Sequence, residues 1–448
     1  MLVTLIVADR REPARFSHVN VWAVPRSYLI SYSGNDEVPL NLNSVVNVNL
    51  SQSDRSDGVD ALLSESKIGP RDGDGRLAVV AMSGGVDSAV TALIMRERGY
   101  RVVGMNLRLF SPNDPDHAVN PCCGIPAMED ARMTCAQIGV PFYAINMESE
   151  FSEEVVNRFV DEYANGRTPN PCLECNRHVK FRHLIRRARE MGADWLATGH
   201  YARIEHNQDR PHRLLRAIDQ RKDQSYVLYT LNQDQLGFIQ FPLGKLTKPE
   251  VRALARHFGL PVADKAESQE ICFVGKGSYA DFVASRRPDV TTPGDIVDDS
   301  GTKLGEHRGL VRHTIGQRRG IGIPRPDPLY VLNLDIDHNE LVVGPRSKAE
   351  APALLIETVT FTDDVWPGYQ FDCMVSVRYR GRPVLAMVEP GSEGSGQVKV
   401  QFPKERPIAA PGQALVFYFG YRVLGGGTIA RVLREDATVA DRSVTAVG

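Results

Sequence analysis

At 448 residues the chain is long enough for roughly two to four domains, and 42% hydrophobic with 24% charged residues is the composition of an ordinary folded protein. The sequence contains no apolar run of the ~18 residues that a membrane-spanning helix needs, so we expect no membrane partner. The formal net charge of −2 neither favours nor excludes nucleic acid, but residues 177–222 hold 12 Lys and Arg against 5 Asp and Glu, which suits either a phosphate backbone or a solvated surface.

The first 76 residues differ in composition from the rest of the chain. Ser, Asn, Asp and Gly dominate residues 31–76, for example at 51–58, and such sequence has little apolar surface to bury. We therefore predict that residues 1–76 form a disordered extension outside the fold.

The most informative motif is SGGVDS at 83–88, between an apolar strand pattern at 77–82 and a helical pattern at 86–98. Two adjacent glycines let a ligand approach the backbone, and the N–H groups at a helix start favour an anion there. No Gly-Lys-Ser/Thr follows, so the motif is not a Walker A loop. It resembles the PP-loop of ATP pyrophosphatases and predicts an ATP site; the alternative is a glycine-rich turn without a ligand.

Strand and helix patterns alternate over residues 77–200, which predicts a parallel sheet with helices on both faces. Ligands bind such sheets at the carboxyl ends of the strands, where we expect the 83–88 motif and Gly199 to meet. From about residue 294 the pattern changes to short strands. We predict three domains: an α/β ATP-binding domain at 77–288, a small β-rich domain at 289–350 and a C-terminal β-barrel at 351–448.

Seven cysteines without a secretory signal indicate cytoplasmic thiols rather than a disulfide framework. Cys172 and Cys175 form a C-x-x-C in a proline-rich loop before a basic helix predicted from about Asn176 to Met191. A helix N-terminus and following basic residues lower the pKa of a thiol, which suits Cys175 to a nucleophile. Three readings stay open: a buried structural cysteine, a zinc site that lacks a second C-x-x-C, and a sulfur-handling pair with Cys272.

Taken together, these motifs resemble the tRNA-specific 2-thiouridylases of the MnmA family. The resemblance covers about residues 77–435. Besides SGGVDS, it rests on motifs that occur in one order along the chain: Thr168-Pro169-Asn170-Pro171, Cys175-Asn176, Ala197-Thr198-Gly199-His200-Tyr201, Lys222-Asp223-Gln224-Ser225-Tyr226, Ile271-Cys272-Phe273-Val274-Gly275, His313-Thr314-Ile315-Gly316-Gln317-Arg318 and Gly425-Gly426-Gly427.

The resemblance implies ATP-dependent 2-thiolation of the wobble uridine in a tRNA anticodon. ATP would adenylate the C2 carbonyl oxygen, with Mg²⁺ offsetting the pyrophosphate charge and Asp87 as the electrostatic partner of the loop. A donor protein would supply sulfur as a persulfide on Cys272, Cys175 would be the nucleophile, and the two would finish as a disulfide.

The resemblance also implies two sets of binding residues. The nucleotide set is Ala81, Met82, Ser83, Gly84, Gly85, Val86, Asp87, Ser88, Leu107 and Gly199. The tRNA set is Asn170, Pro171, Cys172, His200, Lys222, Asp223, Gln224, Arg378, Tyr379 and Gln413.

One departure from the family pattern is Cys172, where many members have Asp. Together with Cys175 and Cys272 it supplies three thiols, the number that can hold a [4Fe–4S] cluster with one open iron, so a cluster route is an alternative to the persulfide. We assign no role to Cys122 and Cys123, and packing roles to Cys135 and Cys373. The remaining alternatives are another PP-loop ATP-dependent ligase and a catalytically silent RNA-binding protein.

Overall fold

The protein was analysed as a computed structural model. It describes residues 3–8, 16–21, 59–110, 124–266, 271–274, 277–392 and 394–434. The chain divides into two units, Met1–Ser56 and Asp57–Gly448. In the first unit, strands β1 (Val3–Ala8) and β2 (Phe16–Val21) pair in antiparallel orientation.

Packed structure in the second unit begins earlier than the sequence predicts. Two short helices, α1 (Val59–Leu62) and α2 (Glu65–Ile68), bury Leu62 and Ile68 in a hydrophobic cluster of the α/β domain. The Arg98 guanidinium also donates to the Asp72 carboxylate at 2.9 Å. Residues 59–76 therefore differ from the disordered extension that we predicted, because a few apolar side chains in a polar segment are enough to anchor it.

A five-stranded parallel sheet forms the core of the α/β domain, in the order β5-β4-β3-β6-β9. Ala78 and Val80 of β3 face one hydrophobic cluster and Val79 faces another, so both faces of the sheet are covered. The strands are β3 (Leu77–Ala81), β4 (Arg101–Arg108), β5 (Phe142–Asn146), β6 (Trp195–Ala197) and β9 (Ile239–Gln240). The predicted parallel sheet is confirmed.

Helices cover this sheet and continue toward the middle domain. The α-helices are α3 (Val86–Glu97), α4 (Ile125–Gln137), α5 (Glu148–Phe151), α6 (Arg158–Ala164), α7 (Pro171–Glu174), α8 (Arg182–Glu190), α9 (Gln233–Phe238), α10 (Lys248–His257), α11 (Tyr279–Arg286) and α12 (Arg346–Ala349). Two π-helical segments, Ser152–Asn157 and Cys175–Phe181, join α5 to α6 and α7 to α8. Short 3₁₀ turns occur at Ser225–Val227, Pro242–Lys245, Pro288–Thr291 and Leu310–Arg312. None of the helices in the described ranges is long and apolar enough to cross a membrane.

The middle domain is a four-stranded sheet and the C-terminal domain is an antiparallel barrel, as the pattern of short strands predicts. The middle strands are β10 (Gly294–Asp298), β11 (Lys303–His307), β12 (Tyr330–Asp335) and β13 (Glu340–Gly344). The barrel strands are β14 (Ala353–Phe361), β15 (Phe371–Ser376), β16 (Val384–Pro390), β17 (Val398–Gln401), β18 (Ala414–Phe419) and β19 (Arg422–Leu433). Pairing of β14 with β19 closes the barrel.

A hairpin from the α/β domain extends the barrel sheet, which the sequence did not indicate. Its strands are β7 (Ala202–Glu205) and β8 (Arg213–Arg216). The hairpin joins β19 through Leu215 and Arg422. The first and last domains thus share one continuous sheet.

Candidate active site

The SGGVDS motif forms the turn between β3 and α3, with Gly85 as the N-cap residue and no side chain capping the helix. Gly84 has a φ of +72°, and a Cβ there would collide with the Ala127 carbonyl of α4. A Cβ on Gly85 would make only an ordinary contact with Ser83, at 3.5 Å. Gly84 is therefore required by the turn itself, whereas the openness at Gly85 leaves the first amides of α3 accessible to an anion.

Ser88 holds the turn closed from inside. Its hydroxyl accepts from the Ser83 backbone N–H at 3.1 Å and donates to the Gly85 carbonyl at 3.0 Å. Since Ser88 is buried, its hydroxyl shapes the loop rather than facing a ligand.

Asp87 is the electrostatic centre of the loop. The ammonium of Lys248 donates to both Asp87 carboxylate oxygens, at 2.8 and 2.7 Å, and the Tyr201 hydroxyl donates to Oδ1 at 2.8 Å. Lys248 is buried, with 9% of its side chain exposed. Lys248 follows Asp87 by 161 residues in the sequence. The ion pair thus brings a distant lysine against the SGGVDS loop, which we call the phosphate loop.

A second lysine reaches the same loop. Lys265 donates to the Gly84 carbonyl at 3.0 Å and to the Asp130 carboxylate at 2.6 Å. The loop thus combines the positive end of α3 with two ammonium groups, an arrangement suited to the triphosphate of a nucleotide.

Sequence reasoning missed both lysines and also Asn106, a buried residue whose amide donates to the Met82 carbonyl at 2.6 Å. One signal for Lys248 was present. It lies in the first turn of α10, where the helix dipole disfavours a cation, so a lysine there calls for an acidic partner.

The other residues of the predicted nucleotide set surround the loop. Met82 lies on the loop itself and Ala81 pairs with Met105 of β4, the strand that ends near Leu107. A Cβ on Gly199 would lie 2.9 Å from the Asp87 carbonyl carbon. The carboxyl ends of β3, β4 and β6 therefore meet here, as a parallel sheet requires.

The helix that carries the thiols begins earlier than predicted. Asn170 is the N-cap of α7, and its side chain accepts from the Leu173 N–H at 3.2 Å. Cys172 is exposed in the first turn, and Cys175 is buried at the start of the π-helical segment. The predicted start near Asn176 is wrong, because Asn170 and Pro171 supply an N-cap and an N1 proline that the loop interpretation overlooked. The free backbone N–H groups at the N-terminus of the helix therefore lie in the turn that holds Cys172 and not at Cys175.

Cys175 and Cys272 lie against the same hydrophobic cluster. Cys175 belongs to its buried part and Cys272, half-buried, packs on it. Phe273 is part of that cluster and meets the Phe159 ring edge-on at a centroid distance of 5.0 Å. Residues nearly 100 apart in sequence thus place their thiols in one apolar environment.

Glu174 stands between Cys172 and Cys175 in the sequence. It accepts from Arg158 at 3.1 Å and lies 3.2 Å from the His178 Nε2. Burial raises the pKa of Glu174, but the hydrogen bond from His178 and the charge of Arg158 outweigh burial and hold the pKa below its usual range. The carboxylate is ionised, and its charge is balanced locally.

The thiols do not gather into a metal-ligand set. Within the described ranges, no group of three His, Cys, Asp or Glu side chains is close enough to hold a metal ion. Cys172, Cys175 and Cys272 thus do not converge on a single ion among the described residues, and the [4Fe–4S] alternative stays a prediction. Cys122 and Cys123 lie outside the described residues.

The remaining cysteines have the packing roles that we predicted. Cys135 and Cys373 are both buried, and burial raises the pKa of the Cys135 thiol to about 11. The pKa of Cys373 is raised as well, by burial.

The loop before the thiol helix is held by the barrel. The Thr168 N–H donates to the Pro411 carbonyl at 2.8 Å, and the Gln413 amide donates to the Thr168 carbonyl at 3.1 Å. Arg167 forms an ion pair with Glu357 of β14 at 2.8 Å. Gln413, which we predicted to contact tRNA, holds the loop that leads into the helix with Cys172 and Cys175 in this structure.

Asp223 and Gln224, also in the predicted tRNA set, make contacts within the protein. The buried Asp223 carboxylate accepts from Arg216 at 2.8 Å and from the Ala217 N–H at 3.0 Å. Gln224 pairs with the backbone of Tyr201, accepting at 2.9 Å through its side chain and donating at 2.8 Å through its N–H. These bonds fix the segment that carries Lys222.

His200 follows β6 beside the loop. Its Nδ1 lies 2.8 Å from the Thr198 hydroxyl, and its ring packs near Phe181 and Phe241. Burial, reinforced by the charge of Lys180, lowers the pKa of His200 to about 3. The ring is therefore neutral at physiological pH.

On the barrel, Arg378 and Tyr379 follow β15. Tyr379 is 39% exposed, and its ring centroid lies 5.9 Å from that of Tyr226 in the α/β domain. Tyr379 is thus in contact with the domain that holds the phosphate loop.

Comparison with known proteins agrees with this architecture. Residues 76–276 match the family described as tRNA methyl transferase HUP domain, 280–345 the tRNA methyl transferase PRC-barrel domain, and 352–429 the aminomethyltransferase beta-barrel domain. A tRNA-specific 2-thiouridylase MnmA of Roseiflexus sp. (strain RS-1) is 46% identical over 370 residues, 79% of this chain and 99% of that protein. Another, of Geobacter metallireducens, is 48% identical over 362 residues, 80% of this chain and 97% of that protein.

Similarity to solved structures is weak. The U34-tRNA thiolase NcsA from Methanococcus maripaludis with its [4Fe-4S] cluster aligns with a TM-score of 0.30 and 16% identity, over 52% of this chain and 70% of that chain. A score of this size supports no statement about the chemistry of the present chain.

Proposed function

The chain belongs to the family of tRNA-specific 2-thiouridylases, and we propose that it thiolates the wobble uridine of a tRNA anticodon in two steps, first activation by ATP and then sulfur transfer. It is a tRNA 2-thiouridylase that uses ATP through its HUP domain. Two features of the α/β domain carry the proposal. Two lysines contact the phosphate loop, and two cysteines share one apolar cluster.

In the activation step, the C2 carbonyl oxygen of the uridine attacks the α-phosphorus of ATP and pyrophosphate leaves. The amides of α3, Lys248 and Lys265 neutralise the charge of the departing pyrophosphate. Mg²⁺ would arrive with ATP and offset the same charge. Asp87, whose carboxylate faces Lys248, is the group that would meet it.

In the transfer step, a donor protein leaves a sulfane sulfur on Cys272 as a persulfide. The terminal sulfur bonds to C2 of the adenylated uridine, and AMP leaves with the former C2 oxygen. The Cys175 thiolate attacks Sγ of Cys272, so the persulfide S–S bond breaks, its electron pair stays with the sulfur on C2, and a Cys175–Cys272 disulfide forms. A thiol reductant then reopens the disulfide.

The apolar setting of these cysteines supports the persulfide route, because it keeps water away from the sulfur being transferred. In this route Cys172, which is exposed, takes no part in the transfer. Cys172 remains a proposed contact for the tRNA, together with Asn170 and Pro171 at the same helix start.

The test is thiolation of an unmodified tRNA transcript with ATP, Mg²⁺ and a persulfide donor. We expect Cys175→Ser and Cys272→Ser to abolish thiolation but to keep tRNA-dependent pyrophosphate release, and Cys172→Ser to retain both. Loss of thiolation in Cys172→Ser, with iron in anaerobically purified wild type, would contradict the persulfide route. Failure of the wild type to release pyrophosphate would contradict the activation step.

A further inference from the structure

Residues 59–75, which we call the N-terminal brace, precede the part of the chain that matches the family models. Their helices α1 and α2 nevertheless bury Leu62 and Ile68 in a hydrophobic cluster to which α3 and α10 also contribute. Helix α1 packs directly on α10, and α10 packs on α3. The brace therefore lies against the two helices that supply the phosphate loop with its ion pair.

An ion pair joins the brace to the start of α10. The Lys67 ammonium donates to Glu250 Oε1 at 2.9 Å, and the two side chains are 35% and 24% exposed. The other carboxylate oxygen of Glu250 accepts from the Thr247 backbone N–H at 2.6 Å and from the Thr247 hydroxyl at 2.9 Å. These bonds form the capping box of α10. Lys67 thus fixes the carboxylate that fixes the N-cap residue.

The charge of Glu250 matters for the lysine beside it. Burial raises the pKa of Glu250, but the hydrogen bonds from Thr247 and the ion pair with Lys67 outweigh burial and hold the pKa below its usual range. The ionised carboxylate suits the positive end of the helix dipole, whereas Lys248, the first residue of α10, is disfavoured there. The ammonium of Lys248 therefore depends on a well-held first turn and on Asp87 for its position.

The brace also holds the far end of α3. A helix leaves its last carbonyl groups without partners inside the helix. After α3, the Gly73 N–H donates to the Arg98 carbonyl at 3.0 Å, and the Gly75 N–H donates to the Gly99 carbonyl at 3.1 Å. The Asp72 carboxylate accepts from the Arg98 guanidinium at 2.9 Å. Both helices that form the ion pair at the phosphate loop are thus bound to one short segment.

We propose that the N-terminal brace is a positioning element of the ATP site, in which Lys67 acts through the capping box of α10 to hold Lys248 against the phosphate loop. The inference rests on the proposed function, in which Lys248 acts on the phosphates of ATP. A small displacement of a positioned group is enough to weaken its action. Loosening the first turn of α10 should therefore weaken ATP binding and leave tRNA binding unchanged.

The first test compares Lys67→Met with Arg256→Gln in the full-length chain. Arg256 lies in the last turn of the same helix and pairs with Asp264 at 2.8 Å, so this control breaks an ion pair at the opposite end of α10. We expect Lys67→Met to raise the KM for ATP in tRNA-dependent pyrophosphate release about three- to fivefold, with the KM for tRNA unchanged. Arg256→Gln should leave both values as in the wild type. Lys67→Arg keeps the charge and should restore the KM for ATP, which general damage to the fold would not allow.

The second test asks whether Lys67 acts through Glu250. Glu250→Gln keeps an oxygen that can accept from Thr247 but removes the ion pair, so it should raise the KM for ATP about as much as Lys67→Met does. The Lys67→Met/Glu250→Gln double variant should be no worse than either single variant, because both changes remove the same interaction.

Titration with ATP and Mg²⁺ in the absence of tRNA gives the same comparison as a Kd, without turnover. The proposal is overturned if Lys67→Met binds ATP as Arg256→Gln does, if Lys67→Arg does not restore the affinity, or if the effects of the double variant multiply. A wild type that binds ATP but releases no pyrophosphate contradicts the proposed function, while the Kd values of the variants still test the brace. A wild type that binds no ATP overturns both.

Discussion

Single residues from distant parts of the chain set the charge of the phosphate loop. Lys248 neutralises Asp87, and Lys265 contacts both the Gly84 carbonyl and Asp130. In the proposed ATP site, an incoming triphosphate would compete with these carboxylates for the two ammonium groups. In the structure, each of these buried or half-buried ammonium groups therefore has a carboxylate partner.

Lys248→Met tests this arrangement. Removing the ammonium leaves Asp87 without its buried partner, and Asp87 is one-third exposed. We therefore expect the free energy of unfolding to fall by about 1–3 kcal/mol, less than for a fully buried pair. We also expect tRNA-dependent pyrophosphate release to fall by roughly 10²-fold or more, since one charge at the transferring phosphates is lost. Denaturant unfolding and pyrophosphate release measure the two effects.

Lys248→Arg is the matched control, since it keeps the charge. It should retain most of the stability and more of the pyrophosphate release than Lys248→Met. Equal pyrophosphate release in Lys248→Met and wild type would mean that this lysine does not act on the phosphates.

His200 supplies a pH prediction. Burial lowers its pKa in the folded protein to about 3, whereas an unfolded histidine titrates near about 6.5. Between these values only the unfolded state binds the proton, so the stability due to neutral His200 is complete above pH ~6.5 and is lost as the pH falls toward 3. The slope from this residue is at most about 1.4 kcal/mol per pH unit.

Unfolding of wild type and His200→Gln between pH 7.5 and 4.5 measures this slope. The stability of the variant should fall less steeply over that range, because glutamine does not titrate. Parallel slopes for the two proteins would show that the pKa of His200 is the same in the folded and unfolded states.

At the level of elements, two features of the helical segment that begins at Pro171 determine the position of Cys175. Its α-helical start is capped by Asn170, and its continuation, Cys175–Phe181, is π-helical. A second π-helical segment, Ser152–Asn157, packs against it. Such π turns are rare and concentrate at functional sites, where the wider turn redirects side chains.

Asn170→Ala tests the cap. Loss of the bond to the Leu173 N–H should lower the free energy of unfolding by about 1 kcal/mol and slow sulfur transfer, because the first turn that carries Cys172 and leads to Cys175 frays. Asn170→Asp retains the capping oxygen and should keep the stability. Thiolation rates and unfolding midpoints of both variants are the measurements. An unchanged thiolation rate in Asn170→Ala would show that the cap does not affect sulfur transfer.

At the scale of the whole molecule, the barrel and the α/β domain pack together through shared hydrogen bonds and a shared sheet. Tyr226 donates to the Ala414 carbonyl at 2.5 Å, and the β7–β8 hairpin adds to the barrel sheet. A Cβ on Gly426 of β19 would lie 2.5 Å from the Leu415 carbonyl oxygen of the barrel and 2.9 Å from a ring carbon of Tyr229 in the α/β domain. The barrel thus covers apolar side chains of the catalytic domain and, through Gln413, positions the thiol loop.

Gly426→Ala should therefore destabilise both domains together. We expect a loss of about 1–3 kcal/mol from overpacking and one calorimetric transition at a lower midpoint. Gly368→Ala is the control, since nothing lies within 4 Å of a Cβ there. Two separate transitions in Gly426→Ala, with the α/β transition unmoved, would show that the domains unfold independently.

Local patterns were enough for much of the fold. The alternation at 77–200 predicted the parallel sheet, and the pattern of short strands after about residue 294 predicted the β-rich domain and the barrel. The hairpin β7–β8 and the packing of residues 59–76 were not predictable in this way. Both depend on partners far along the chain, namely β19 and the cluster around α3.

The sequence by itself determined the family, the ATP loop and the identity of the cysteines, because each is a local motif whose residue types and order carry the chemistry. Only the tertiary structure decided which charges serve the loop and which residues serve the fold. Lys248 meets Asp87 and Gln413 meets Thr168, in each case through contacts between segments more than a hundred residues apart. Such contacts depend on how elements pack, and packing leaves no local pattern in the sequence.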